Sequence, residues 1–145
     1  MTSRHIVALG GSLLRPEESE KRREWFGQLR QLAVHLEGNE RKIGIVIGGG
    51  LPAREAIDLA KNCISSSEKL DRVGIAATRL NATVIQQILL DIGCNVAPEI
   101  PHTTSQSAEL LEQYNFVVMG GTPPVHTTDA VAVALAKDAG ARTCI

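Results

Sequence analysis

Cysteine, excess charge, long apolar runs and the standard nucleotide-loop consensus patterns are all scarce or missing in this 145-residue sequence, and each lack narrows its chemistry. Cys63, Cys94 and Cys144 are odd in number, far apart and without a Cys-x-x-Cys spacing, which argues against a zinc site or a disulfide framework and for buried reduced thiols in a cytoplasmic protein. A formal net charge of -1 gives no general attraction to nucleic acid polymers or anionic membranes. The N-terminus lacks a basic-then-apolar signal pattern, and no apolar run approaches the roughly 20 residues that span a bilayer. No Gly-Lys-Ser/Thr follows any glycine loop, and no Gly-x-Gly-x-x-Gly carries a downstream acidic partner, so generic P-loop and dinucleotide enzymes are disfavoured. Internal repeats, low-complexity linkers and a second domain are likewise not seen.

What is present alternates. Strand-length apolar runs occur at Ile6–Leu9, Ile43–Ile47, weakly at Asn95–Ala97, at Phe116–Met119 and at Thr143–Ile145, with helix-length stretches between them. The pattern predicts an α/β fold, a three-layer αβα sandwich with a mainly parallel central sheet, occupying residues 1–145 as part of a single domain. A first helix starts near Ser19, with Trp25, Phe26, Leu29, Leu32, Ala33 and Leu36 as its core face and Gly38-Asn39 as its stop. A second, carrying Ala53, Ala56, Ile57 and Ala60, is expected to pack closely on the sheet. A third runs from about Gly74 to Asp91, turns Ile75, Leu80, Val84, Ile88 and Leu89 towards a core, and has Asp71 ahead of it as an N-terminal carboxylate. The last follows Asp129 and, with its "AVAVALA" run, should be buried on both sides. After the Gly140 stop, "ARTCI" reads as the beginning of a central strand, and the expectation is a chain truncated at its C-terminal end.

Three junctions carry the chemistry: Gly10-Gly11-Ser12, Gly48-Gly49-Gly50 and "GGTPPVHTTDA" (Gly120 to Ala130). Each stands where an apolar strand gives way to a helix, so main-chain N–H groups and positive helix ends face one shared edge suited to phosphate. The Gly-Gly-Ser turn alone is weak, being equally ordinary turn chemistry. Three consecutive glycines between a β-branched strand and a helix are costly in conformational entropy unless backbone approach requires them. Arg54, one helical turn further on, places a cation within reach of the same anion. In the last loop, glycines and prolines fix an irregular path, and Thr127 and Thr128 set hydroxyls before a helix whose early residue is Asp129. Those groups fit a phosphate monoester and a cation, and equally an ordinary capped helix start.

Together the stretches "IVALGGSLL", "IVIGGGLPAREAI", "LDRVGIAATRLNA" and "VVMGGTPPVHTTDAVAVALA" resemble the amino acid kinase superfamily, most closely its archaeal-type uridylate kinases. The resemblance implies that UMP takes the γ-phosphoryl group of ATP, with Mg²⁺ and without a phospho-enzyme, in pyrimidine nucleotide synthesis. Gly11, Ser12, Gly50 and Arg54 would then surround the ATP phosphates. Gly49 would border the UMP phosphate and Asp71 the ribose hydroxyls. Thr122, Pro123, Pro124, Val125, His126, Thr127 and Thr128 would wrap the UMP, and Asp129 would organise the catalytic charges. His126 is read as a contact or loop-packing residue rather than a base.

Two departures accompany the match. Many superfamily members carry a lysine in the first strand where this chain has Ala8, a lack shared by the archaeal uridylate branch. The family also continues past Ile145 into the part that supplies the nucleotide-base pocket and a further cationic group, so this chain alone is expected to be nearly inactive. The resemblance further implies a homo-oligomer, a hexamer built as a trimer of dimers, with the long helix after Asp71 as dimer surface. A sister kinase for another small phosphate, such as isopentenyl phosphate, and a non-catalytic nucleotide- or anion-binding protein of the same fold are the alternatives.

Overall fold

The apolar run Ile43–Ile47 falls in an interior strand of the sheet. The computed structural model describes residues 2–14, 19–123 and 127–145. The elements, in chain order, are β1 (Ser3–Leu9), α1 (Gly11–Leu14), α2 (Ser19–Glu37), β2 (Arg41–Ile47), α3 (Gly50–Ala60), α4 (Ser67–Asp91), α5 (Thr104–Gln113), β3 (Phe116–Met119), α6 (Thr128–Ala139) and β4 (Thr143–Cys144). The strands pair in parallel in the order β3-β2-β1-β4, with Leu9 opposite Ile47 and Val46 opposite Met119. The C-terminal ends of β1, β2 and β3 therefore come out side by side.

Alternation along β2 divides the core. Ile43, Ile45 and Ile47 face one layer, where Ala33 of α2 and Ala82, Ile85 and Leu89 of α4 cover the sheet. Val46 and Ile6 face the other layer, built from Leu110 and Leu111 of α5 and Val131, Ala132, Leu135 and Ala139 of α6. Fully burying a side chain such as Leu89 or Leu135 contributes about 1.5–3 kcal/mol. The expected three-layer αβα arrangement with its parallel sheet is what forms.

Several local expectations are corrected. Helix α4 starts at Ser67, with the Ser66 hydroxyl accepting the Lys69 N–H, so Asp71 lies inside the helix rather than ahead of it. The polar Ser65-Ser66-Ser67-Glu68 run supplies a better cap than any residue near Gly74. Helix α3 packs mainly on α4 and α1 rather than on the sheet, because the long α4 already covers that face. Leu32 and Leu80 each keep 54% exposure and stand outside the core. Helix α6 is buried on one side only: Val133 on its outer side is 62% exposed. Segment Thr143–Cys144 is an exposed edge strand paired to β1 alone, and Asn95–Ala97 contributes one parallel bridge, Val96 to Phe116. Cys94 is buried, but Cys63 and Cys144 are exposed free thiols.

Two elements went unforeseen. The single turn α1 follows β1, and α5 is capped by Thr103, whose hydroxyl accepts the Gln106 N–H while Gln106 Oε1 accepts the His102 N–H. Helix α4, moreover, is long and apolar enough by length and hydropathy to cross a membrane, contrary to expectation. In this fold its Asn81 and Gln86 are buried and donate to main-chain carbonyls, and its apolar face covers the sheet.

Candidate phosphate-binding cleft

At the sheet edge, the loops after β1 and β2 meet backbone to backbone. The Gly48 N–H donates to Leu9 O at 2.9 Å. A Cβ placed on Gly11 would stand 2.6 Å from both Gly48 O and Gly49 C, so no other residue type fits there without parting the loops. Gly50 adopts φ +58°, the left-handed region that glycine enters without strain.

Helix α4 ties the loops after β2 and β3 to itself. Asn81, fully buried, donates through Nδ2 to Gly48 O at 2.9 Å and to Gly49 O at 3.0 Å. Thr78 Oγ1 donates to Ile75 O at 2.6 Å and accepts the Gly121 N–H at 2.7 Å, holding the start of the loop after β3. Arg79 donates to Ile100 O and Pro101 O, fixing the approach to α5. At the start of α6 the Thr127 hydroxyl accepts the Ala130 N–H, and Thr128 Oγ1 would lie 2.8 Å from a Cβ on Gly48. The N-terminus of α6 is thus held against the β2 loop.

Between these parts lies a cleft of about 310 Å³. Gly49, Gly50, Arg54, Asp71, Thr122, Thr127 and Thr128 line it, bringing Gly50 and Arg54, expected at the ATP phosphates, into one cleft with residues expected around UMP. Gly11 and Ser12 abut Gly50 without lining the cleft. Asp129 is exposed in the first turn of α6, and Pro123 is exposed in the loop; neither forms the wall. Pro124, Val125 and His126 lie outside the described residues. Unforeseen in the wall are Ala53, Ile57, Gly74, Ile75, Thr78 and Gly121. Asn81 was legible in principle, since an asparagine on the apolar face of a helix needs a buried partner.

The chemistry of this cleft is one-sided in a useful way. Arg54 is an exposed cation and Asp71 a half-buried carboxylate, and neither has an ion-pair partner among the described residues. First-turn amides of a helix lack intrahelical partners, so the starts of α3 and α6 present N–H donors beside Arg54 and the threonine hydroxyls. Anion at one end and hydroxyl donors at the Asp71 end are what the wall can hold. Among the described residues no group of three His, Cys, Asp or Glu side chains could cage a metal ion. A second cavity of about 280 Å³ lies under α2, lined almost wholly by apolar side chains such as Trp25, Leu29 and Ile45, remote from these groups.

Known proteins are similar to this chain in sequence and fold. The uridylate kinase of Thermoplasma acidophilum is 37% identical over 141 residues, which cover 97% of this chain and 58% of that protein. That of Archaeoglobus fulgidus is 40% identical over 132 residues, covering 91% and 56%. The chain thus spans a little over half the length of the curated relatives it matches. The crystal structure of the Archaeoglobus fulgidus uridylate kinase superposes with a TM-score of 0.77 at 38% identity, over 97% of this chain and 61% of that one. The UMP kinase structure from Ureaplasma parvum, at 19% identity and a TM-score of 0.71, shares the fold over 99% of this chain and 67% of its own. Since the amino acid kinase family matches residues 3–145 and the glycine loops, α4 and the α6 start build one cleft in that frame, the chain belongs to the amino acid kinase family.

Proposed function

We infer that the cleft binds UMP and that this chain is the acceptor-binding portion of a UMP kinase, forming UDP and ADP from UMP and ATP. The observation that carries this reading is the convergence of Arg54, Asp71, Thr122, Thr127 and Thr128 with the Gly49-Gly50 backbone around one cleft. In the reaction, a phosphate oxygen of UMP attacks the γ-phosphorus of ATP in line. A new P–O bond forms as the bond to the β–γ bridging oxygen breaks, and ADP leaves with that electron pair. Such a transfer needs positioning and charge neutralisation rather than a nucleophilic side chain.

In this reading the residues divide the work. Amides of Gly49 and Gly50 and the hydroxyls of Thr127 and Thr128 hold phosphate oxygens, and Arg54 neutralises charge from the rim. Asp71 accepts from ribose hydroxyls, and Ile57 and Ile75 offer the nucleoside an apolar surface. Asp129 orients cationic partners at the start of α6. When bound, Mg²⁺ would supply charge neutralisation on the ATP phosphates, and Asp129 would be the carboxylate available to orient it. The same reading assigns the chain to the cytoplasm and to a homo-oligomer, with Leu80 and Leu90 of α4 exposed to meet a second copy.

The test is calorimetric titration of the chain with UMP, with isopentenyl phosphate as competitor, alongside an assay of UDP formation. Saturable UMP binding that isopentenyl phosphate does not displace is expected. Displacement would favour the sister kinase, and absence of UMP binding would sink the reading.

A further inference from the structure

Asn81 does not itself line the cleft, yet it is buried completely and donates its carboxamide N–H groups to the carbonyls of Gly48 and Gly49. A trans peptide points its N–H opposite to the preceding C=O. Holding those two carbonyls therefore turns the N–H groups of Gly49 and Gly50 away from α4, and both glycines line the cleft. Glycine itself has no conformational preference that would fix this orientation. We propose that Asn81 is a positioning residue, which aims the Gly49 and Gly50 amides at the bound anion through a double hydrogen bond from the interior of α4.

The assignment rests on the phosphate-binding reading of the cleft and makes a sharper demand on it. Thr78, one turn earlier on the same helix, holds Gly121 of the facing loop. Asn81 and Thr78 thus set the separation of the two loops that contribute amides and hydroxyls, and α4 acts as their common rigid support. Asparagine suits the role because it supplies two donors from one nitrogen, whereas an aspartate of the same shape supplies none when ionised.

The experiment uses the 145-residue chain, its Asn81→Asp variant and an Asn81→Ala variant, with UMP and inorganic phosphate as probes. Amide NMR signals of Gly48, Gly49 and Gly50 are followed without ligand and through titration, and thermal melts report folding. In Asn81→Asp, displaced Gly49 and Gly50 signals and a loss of about tenfold to a hundredfold in affinity for both probes are expected. Asn81→Ala, which leaves the carbonyls unheld without adding a charge, should lose affinity in the same direction. If the original chain binds and both variants bind within twofold of it, the assignment is overturned. Unmoved glycine signals in a folded variant overturn it too, as would affinity losses that merely track the fraction unfolded. If the original chain binds neither probe while the variants' glycine signals move, the loop-holding role stands and the nucleotide reading of the cleft falls.

Discussion

Gly11→Ala is the substitution whose consequence the structure quantifies most directly. Its Cβ would stand 2.6 Å from Gly48 O and from Gly49 C, both main-chain atoms with no rotamer through which to yield. Ordinary carbon contacts begin near about 3.5 Å, so the β1 and β2 loops must part by roughly 1 Å. Overpacking of this kind costs about 1–3 kcal/mol and should lower the melting temperature by roughly 3–10 °C for a chain of this size. The functional loss is expected to be larger, because about 1 Å of misplacement among groups that hold a reacting phosphate costs roughly a hundredfold. Gly27→Ala is the matched control: nothing lies within 4 Å of its Cβ, and an alanine inside α2 should stabilise by about 0.5–1 kcal/mol. Calorimetric affinity for UMP and thermal melts would be measured on both variants. A Gly11→Ala chain that melts with the original and binds UMP equally well would refute the tight apposition of the two loops.

Asp71→Asn should weaken UMP much more than ATP in a titration with each nucleotide, since an amide is a poorer acceptor for ribose hydroxyls than a carboxylate; equal losses would remove Asp71 from the acceptor site. Arg54→Ala should reduce phosphate and ATP affinity by about tenfold or more while leaving the melting temperature unchanged, because its side chain is exposed at the cleft rim. A large fall in melting temperature with unchanged binding would make Arg54 structural. Burial, reinforced by the Glu37 carboxylate, pushes the Cys94 thiol from 9.0 up to about 11. The folded state therefore keeps that proton longer than the unfolded one, and the resulting stability is present below about pH 9 and is lost as pH rises towards 11. In denaturant titrations Cys94→Ala should show a shallower decline across that window; an identical decline would refute the assignment. At pH 8 a thiol reagent should modify exposed Cys63 and Cys144 well before Cys94.

Much of the cleft was readable because its signals are local. Three consecutive glycines after a β-branched strand announce backbone approach, and a threonine before an apolar helix announces a cap; Gly50 with its positive φ and Thr127 with its bond to Ala130 fulfil both. Asp71, Arg54 and Thr122 were placed by resemblance, and they do line the same cleft. Thr78 and Asn81 were overlooked because what they do depends on carbonyls and amides more than 30 residues away, which no periodicity encodes. Helix α5 was missed for a different reason: its ten residues carry few apolar positions, and its start depends on the exchange between Thr103 and Gln106.

By itself the sequence determined most of the element types, the parallel layered class and the location of the glycine loops that meet at the cleft, because strand runs, helical spacing and glycine positions are properties of neighbouring residues. Tertiary structure decided which faces those elements buried. The outer side of α6, which read as interior, remains exposed because hydrophobicity fixes what a residue prefers and packing decides what is available to cover it. The same holds for the cleft. Glycines at strand ends leave a loop free to take many paths, and tertiary contacts hold this one, from the β1 loop on one side and from a buried amide of α4 aligned on two carbonyls on the other.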